Sequence, residues 1–221
     1  MPPRLRLPAI STAVMLVILI ALGSWQLQRR EWKAGILAQI DAAERLPAIP
    51  MPETPTAFQK VRLEGTLRTD LQASYAFELR DGRPGTHLIV PLERTGQKAI
   101  LVDLGFLPDA APHPYPVENH AVEGFIRPAE QAGSFAGKDD PAHRHFYTLD
   151  PAVIGAALGE TNVAPYTLIA LAPAVAGQMP DPAHAFPRPP NDHLNYALTW
   201  FGFAVTLSIV FLLYARKALR A

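Results

Sequence analysis

The sequence has 221 residues, a formal net charge of zero and no cysteine. A neutral chain of this length provides one ordinary domain and no overall field that favours nucleic acid, so we expect no nucleic-acid partner. Without cysteine there are no disulfides or thiolate metal sites, and a folded domain must rest on its core. Hydrophobic residues make up 49% and charged residues only 18%, and the apolar excess lies at the two ends.

The chain carries a long uncharged apolar segment near each end. The first runs from Leu7 to Trp25 and the second from Tyr196 to Tyr214. Each has about the 20 residues that a helix needs to cross a hydrocarbon core of about 30 Å. The sequence therefore predicts two transmembrane helices and a lipid bilayer around them. We place the two spans at residues 7–27 and 193–214 and the middle domain at residues 28–192. The cytoplasmic tails are then residues 1–6 and 215–221.

The first apolar segment also has the features of a cleaved signal peptide. Arg4 and Arg6 would be its basic region, and Ala21-Leu22-Gly23 its small-residue exit. The bulky residues that follow favour a helix that leaves the membrane uncleaved.

The basic residues that flank the spans predict the orientation. Arg4 and Arg6 precede the first span, and Arg216, Lys217 and Arg220 follow the second, which puts both tails in the cytoplasm. Three basic residues directly after the first span argue for the reverse, but long translocated segments obey this rule poorly. They are Arg29, Arg30 and Lys33. Because a first span starting near residue 7 leaves no room for a transit peptide, we expect a bacterial plasma membrane and a periplasmic middle domain.

The first part of the middle domain has a helical stretch and then strand patterns. Residues 28–45 have helical composition and are expected to extend the first span as an amphipathic stalk, before a proline-rich linker. Apolar and polar residues alternate in KVRLEG and again in SYAFEL, where Tyr75, Phe77 and Leu79 share one face.

The second part of the middle domain adds a hairpin, short strands and one helix. Two apolar runs joined around Thr95-Gly96 predict the hairpin. Further strands are expected in AVEGFIRP, FYTLD and PYTLIALAP, and a helix from Pro151 to Leu158 with Gly159 as its stop. The predicted fold class is a membrane protein in which two transmembrane α-helices flank a mainly β (α+β) extracytoplasmic domain.

Polar candidates in the middle domain do not form a known catalytic pattern. Because the sequence has no hydrolase or nucleotide-binding motif, we expect no enzyme. His143 and His145 could share a strand face and bind a metal, and a solvated polar turn is the alternative. The acidic pairs are expected in loops or on strand exteriors, and three other histidines in loops. These residues are Asp139 with Asp140, Glu118 with Glu123, and His113, His120 and His184.

His193 lies at the outer mouth of the second span, where an ionisable ring that faces lipid is costly. A neutral imidazole there can coordinate haem iron, and Arg29 and Arg30 lie at a similar depth for pairing with propionates. The alternative is an interfacial histidine solvated by lipid headgroups. By helical spacing, His193 shares its face with one small and two aromatic residues. They are Tyr196, Ala197 and Trp200.

Several blocks are spread in order over nearly the whole chain. The first helix ends in LGSWQLQRREWK, and the second begins with HLNYALTWFGFA. Between them lie FQKVRLEGTL, PGTHLIVPLER, ILVDLGFLP and VEGFIRPAE. Together these blocks resemble the Surfeit-locus/Shy family of cytochrome c oxidase assembly factors. The matching family elements are the Gly-x-Trp-Gln-x-x-Arg start, the first strand, the central hairpin, the Gly-x-x-Arg element that follows it and the second-helix signature.

The resemblance implies a protein that helps haem a to reach subunit I of a haem-copper oxidase after its synthesis by haem A synthase. It also implies transient haem a binding, with His193 as the iron ligand and Trp200 beside it. Trp25, Arg29 and Arg30 match family positions whose role could equally be membrane anchoring.

One block departs from the family pattern. The family hairpin commonly reads Asn-Arg-Gly-Trp-Val-Pro, whereas residues 103–108 read DLGFLP, so the glycine and proline remain and the arginine and tryptophan do not. The main alternative function is a membrane-anchored assembly scaffold that binds no haem. A two-helix sensor is disfavoured because only seven residues follow Tyr214, and a tethered hydrolase because its motifs are missing.

Overall fold

A computed structural model describes the chain at residues 3–109, 119–133, 136–175 and 177–220, except for the side chains of residues 119 and 120. The chain divides into two compact units. Residues 1–40 and 188–221 form a helical unit, and residues 41–187 form a β unit.

Two long helices make up the helical unit. Helix α1 spans Pro3–Arg45, so its last turn belongs to the β unit, and helix α3 spans His193–Arg220. Both are long and apolar enough to cross a membrane. Helix α1 continues without a break through residues 28–45, which confirms the helix predicted for that stretch.

The two helices are antiparallel and in contact within this unit. Near the start of α1, Arg4 Nη2 donates to the carbonyl oxygen of Ala218, close to the end of α3, at 2.7 Å. Further along, Gly23 lies against the ring of Phe201, and a Cβ atom at Gly23 would come within 2.6 Å of that ring. Glycine at this position therefore lets the two helices approach closely. The buried residues of the two helices within this unit are Leu5, Leu19, Gly23, Ile40, Ala197 and Ala204.

The described residues of the β unit contain eight strands in one sheet. Their bounds are β1 Ile49–Pro50, β2 Lys60–Leu67, β3 Ala73–Arg80, β4 Arg83–Glu93, β5 Ala99–Pro108, β6 Asn119–Pro128, β7 His145–Phe146 and β8 Val163–Ala170. Five strands close into a barrel in the order β2-β6-β8-β5-β4, because β2 pairs with β6 on one side and with β4 on the other. The closing register joins Thr66 to Glu93 and Leu67 to Leu92. The predicted mainly β domain is therefore confirmed.

Aliphatic side chains from all five strands fill the barrel. Alternate residues of each strand point inward, so every strand contributes to one continuous core. Its most deeply buried members are Val61, Val90, Leu92, Ile100, Val102, Ile126 and Leu168. This core holds the domain without disulfides, as the absence of cysteine requires.

Strand β3 departs from its predicted pattern. Tyr75 is buried, but Phe77 and Leu79 are 63% and 64% exposed, so the prediction that all three share one face is wrong. The register of β3 with β4 shifts between Tyr75 and Glu78, and Ala76 has a φ of 55°. Such a bulge adds one residue to the strand and turns the following side chains to the opposite face.

The predicted hairpin and helix both form. Strands β4 and β5 are joined by residues 94–98, with Gly96 at a φ of 70°. Helix α2 spans Pro151–Leu158, and the Asp150 side chain caps its first turn. Gly159 ends the helix at a φ of 83°, a left-handed conformation that glycine adopts at little cost.

The strand predicted in FYTLD is shorter than expected. Only His145–Phe146 pair with a neighbouring strand, as β7. The next two amides, of Tyr147 and Thr148, donate instead to Asp139 Oδ1 at 2.6 and 3.2 Å. A side-chain acceptor thus takes the place of a strand partner and ends the ladder.

The first and last segments of the β unit are joined to each other. The amide of Phe186 donates to Glu44 Oε1 at 3.0 Å, and Lys60 Nζ donates to the Glu44 carbonyl oxygen. The Phe186 ring lies 4.5 Å from that of Phe125, centroid to centroid. The chain therefore enters and leaves the β unit at neighbouring points.

Candidate functional site

His193 is the first residue of α3. The amides of Asn195 and Tyr196 donate to the carbonyl oxygen of Asp192 at 3.0 and 3.3 Å, which fixes the first turn and with it the backbone of His193. The imidazole is half-buried. It stands at the point where the polar segment before α3 gives way to an apolar helix, as the sequence predicted.

Gln26 of α1 holds one nitrogen of this imidazole. Its Oε1 lies 2.7 Å from His193 Nδ1. Within the described part of the chain, His193 Nε2 has no hydrogen-bond partner. Sequence reasoning missed Gln26, although it is a polar residue at the end of an apolar run, because no local pattern says which residue of a second helix it will meet.

The space between the two helices is closed beside His193. Ala197, one turn further along α3, is almost fully buried, and Gly23 is in contact with Phe201. Tyr196 is exposed. Within the predicted face, Ala197 therefore lies on the side towards the neighbouring helix and Tyr196 on the outer side, because consecutive residues are about 100° apart around a helix.

Aromatic rings supply the apolar surface that a flat macrocycle would need. Trp25 and Tyr196 are both exposed. Trp200 is half-buried, with its ring edge-on to Phe203 at 6.1 Å. Because Gly23 and Ala197 lie in the contact between the helices, a macrocycle beside His193 would lie on their outer surface. Among the described residues, the imidazole nitrogen without a partner and the exposed aromatic rings beside it are the kinds of group that a haem site would need.

The two arginines that were expected to reach propionates differ in their surroundings. The Arg29 guanidinium stacks on the Trp32 ring at 3.7 Å. The backbone of Arg30 accepts a hydrogen bond from Asn191 Nδ2 at 3.3 Å. Both side chains are exposed, and among the described residues neither forms an ion pair with a carboxylate. They are thus available to an anionic ligand.

The histidines of the β unit each have separate partners. His143 Nδ1 lies 2.7 Å from Asp140 Oδ2, and His145 Nδ1 lies 2.8 Å from Ser74 Oγ. Among the described residues, no three histidine or acidic side chains are grouped to hold a metal. Residue 120 lies within β6, paired with Gly65, so the loop predicted there is wrong.

The remaining polar candidates lie where the sequence placed them or outside the described residues. His184 lies in an irregular segment, and Glu123 is exposed on β6. His113 and Glu118 lie outside the described residues.

A charged cluster in the β unit was not predicted. His87 Nδ1 lies 3.0 Å from both carboxylate oxygens of Asp103, and its Nε2 lies 3.0 Å from Glu78 Oε2. Arg80 binds the same Glu78 through Nε at 2.7 Å and also Asp181 through Nη1 at 2.6 Å. These five residues form the His87 cluster. Its members come from three strands and a loop, so no local sequence pattern reveals it.

Charge in the His87 cluster shifts two pKa values. Burial lowers the pKa of His87, but the hydrogen bonds and charges of Asp103 and Glu78 outweigh burial and raise the pKa overall. The hydrogen bond from Arg80 lowers the pKa of Glu78, and His87 adds to that effect. Asp103 is also the first residue of segment 103–108, in which this chain departs from the family hairpin.

These features define a class of protein. It has an apolar helix near each end of the chain, a closed β-barrel in the segment between them, and a histidine at the start of the second helix. The sequence model of the SURF1 family matches residues 13–205. The chain therefore belongs to the SURF1 family, known generally for oxidase assembly factors, and the resemblance drawn from its sequence blocks is confirmed.

Curated relatives cover most of the chain. It is 28% identical to a "SURF1-like protein" of Rickettsia felis, over 93% of this chain and 96% of the relative. It is 25% identical to "Surfeit locus protein 1" of Mus musculus, over 85% of this chain and 69% of the relative. It is 23% identical to the Homo sapiens protein of the same name, over 92% of this chain and 75% of the relative.

Proposed function

We propose that this chain is an assembly factor for a haem-copper oxidase, and that it holds haem a transiently for insertion into subunit I. Membership of the SURF1 family supports the role in oxidase assembly. The observation that carries the haem role is the state of His193, whose Nδ1 is bound to Gln26 while Nε2 has no partner among the described residues. Haem a is cargo here, and the protein is a carrier without an enzymatic activity.

The proposal includes two membrane-spanning helices. Large apolar side chains are exposed along both α1 and α3, and lipid would cover this surface. We place both tails in the cytoplasm of a bacterial cell and the β unit in the periplasm. The basic residues of the last turn of α3, Lys217 and Arg220, support this orientation.

The residues around His193 suit a reversible site. Haem a brings an iron atom, a broad apolar macrocycle and carboxylates. In our proposal His193 Nε2 binds the iron, the exposed rings of Trp25 and Tyr196 contact the macrocycle, and Arg29 and Arg30 pair with the carboxylates. A single axial ligand leaves the cargo more easily exchanged than two strong ligands would, because only one iron–protein bond has to break.

A position on the outer surface of the helix pair also suits transfer. With the space between the helices closed by Gly23 and Ala197, the cargo would be reached from the side by another membrane protein. We propose that haem A synthase supplies haem a at this surface and that oxidase subunit I receives it there. Trp200, next to the same helix surface, would contact the cargo or a partner.

The test is the haem content of the detergent-purified protein from cells that make haem A. Reduced-minus-oxidised and pyridine haemochrome spectra should show haem a in the wild type and none in His193→Ala. His143→Ala, which removes an exposed histidine of the β unit, is the control and should keep the signal. A wild-type protein that is inserted in the membrane but carries no haem would overturn the proposal and favour a scaffold that binds no haem.

A further inference from the structure

The contact between Gln26 and His193 joins two helices at one polar point. Gln26 is half-buried, and its Oε1 lies 2.7 Å from His193 Nδ1. One turn before Gln26, the contact of Gly23 with Phe201 sets how closely the helices approach. The pair therefore sits at a fixed place in the helical unit.

The carboxamide oxygen of Gln26 determines which nitrogen of His193 carries the proton. A carbonyl oxygen only accepts hydrogen bonds, so the ring nitrogen that faces it must carry the proton. A neutral imidazole has one N–H, and its other nitrogen then has a free lone pair. With the proton on Nδ1, the nitrogen of His193 that is able to bind iron is Nε2.

We propose that Gln26 is a positioning residue for His193: it holds the ring in the Nδ1–H tautomer and in one orientation, so that Nε2 presents its lone pair to haem iron. This inference rests on the proposed haem site. Histidines that bind metals usually donate their other N–H to a neighbouring acceptor, which fixes the ring and makes the ligand more basic. Gln26 provides that acceptor from the opposite helix.

The backbone on either side of the pair limits how far it can move. Asn191 Nδ2 donates to the carbonyl oxygen of Arg30, one turn beyond Gln26, at 3.3 Å. On the other side, Gly23 is already in contact with the ring of Phe201, so the helices cannot approach more closely there. Gln28, two residues from Gln26, is exposed and provides a matched control.

The first experiment uses the full-length protein without haem, in detergent, with ¹⁵N-labelled histidine. Side-chain NMR spectra recorded at a pH well above the ordinary titration range of histidine report which ring nitrogen carries the proton. The signals missing from the spectrum of His193→Ala are those of His193. We expect wild type and Gln28→Leu to show the Nδ1–H tautomer, and Gln26→Leu to lose this preference. An Nε2–H tautomer in the wild type overturns the inference.

The second experiment measures haem a affinity and reduction potential. Because residues that hydrogen-bond to a metal-binding histidine usually contribute tenfold or more to metal affinity, Gln26→Leu should bind haem a about 10- to 100-fold more weakly. Gln26→Glu keeps an acceptor of similar shape, so it should retain haem and lower the midpoint potential, since a charged acceptor makes the imidazole a stronger donor. Gln28→Leu should change neither quantity.

The outcomes separate this inference from the function on which it rests. If the wild type carries no haem a, both fail. If the wild type and Gln26→Leu bind haem a with equal affinity and potential, the proposed function stands and the positioning role of Gln26 is refuted.

Discussion

Replacing His87 by leucine should strongly destabilise the β unit. Asp103 is only 2% exposed, and both of its oxygens face His87, whose imidazole is positively charged at a pH below its raised pKa. Removing one partner of a buried ion pair typically costs about 3–5 kcal/mol, because the other charge stays buried and uncompensated. The His87 side chain is 24% exposed and Asp103 keeps a hydrogen bond from the Gly105 amide, so we expect the lower end, about 3 kcal/mol.

Hydrogen exchange of the full-length protein in detergent measures this cost directly. The chain has three tryptophans, at 25, 32 and 200, and all lie in α1 or α3, so tryptophan fluorescence does not report on the barrel. Peptides from β4 and β5 do. A loss of about 3 kcal/mol should speed their globally protected exchange roughly a hundredfold, since each 1.4 kcal/mol is about tenfold.

The Asp103→Asn background provides the control. An asparagine can still accept the hydrogen bond from the Gly105 amide but carries no charge, so His87→Leu should cost much less there. An equal cost of His87→Leu in both backgrounds, or a cost below about 1 kcal/mol in the wild type, would show that the buried charge is not what His87 compensates.

Three further predictions follow from the structure. Protection of the β unit against hydrogen exchange should be greatest between pH 4.5 and 6.5, the ordinary pKa values of glutamate and histidine. The raised pKa of His87 contributes stability that is lost as the pH rises through it. The lowered pKa of Glu78 contributes stability that is lost as the pH falls through it. Hydrogen exchange between those limits and beyond them, corrected for intrinsic rates, checks this, and flat protection would contradict it. Gly23→Leu should force the helices apart and reduce bound haem a at least tenfold, whereas Gly35→Leu, at an open position, should not; equal haem contents would refute this. Asp150→Ala should cost about 1 kcal/mol by removing the cap of α2, measured by exchange of its peptides, and an unchanged rate would contradict the capping role.

The sequence predicted the elements whose signals are local. The long apolar runs, the hairpin around Gly96, and helix α2 with its proline start and glycine stop all appear, because each depends on neighbouring residues. The bulge at Ala76 was not predicted, since alternation in SYAFEL continues through it and only the pairing with β4 reveals the extra residue.

Features made by distant residues had no such signal. Closure of the barrel depends on Thr66 pairing with Glu93, and neither strand indicates in sequence which partner it will find. The candidate site shows the same limit. His193 was identified from its position at the mouth of an apolar helix, whereas Gln26 gains its role only when α1 and α3 are brought together. Hydrophobic periodicity predicts which face of a helix or strand is apolar, but it does not predict which residues of another element pack against that face.

The haem a occupancy of subunit I, in oxidase purified from cells that depend on this protein, tests the central claim most directly. We predict full occupancy with the wild type and with His143→Ala. With His193→Ala present at the same level in the membrane, we predict a loss of haem a from subunit I. Unchanged occupancy with His193→Ala would contradict the account, because haem a would then reach the oxidase without the ligand that we assign to this chain.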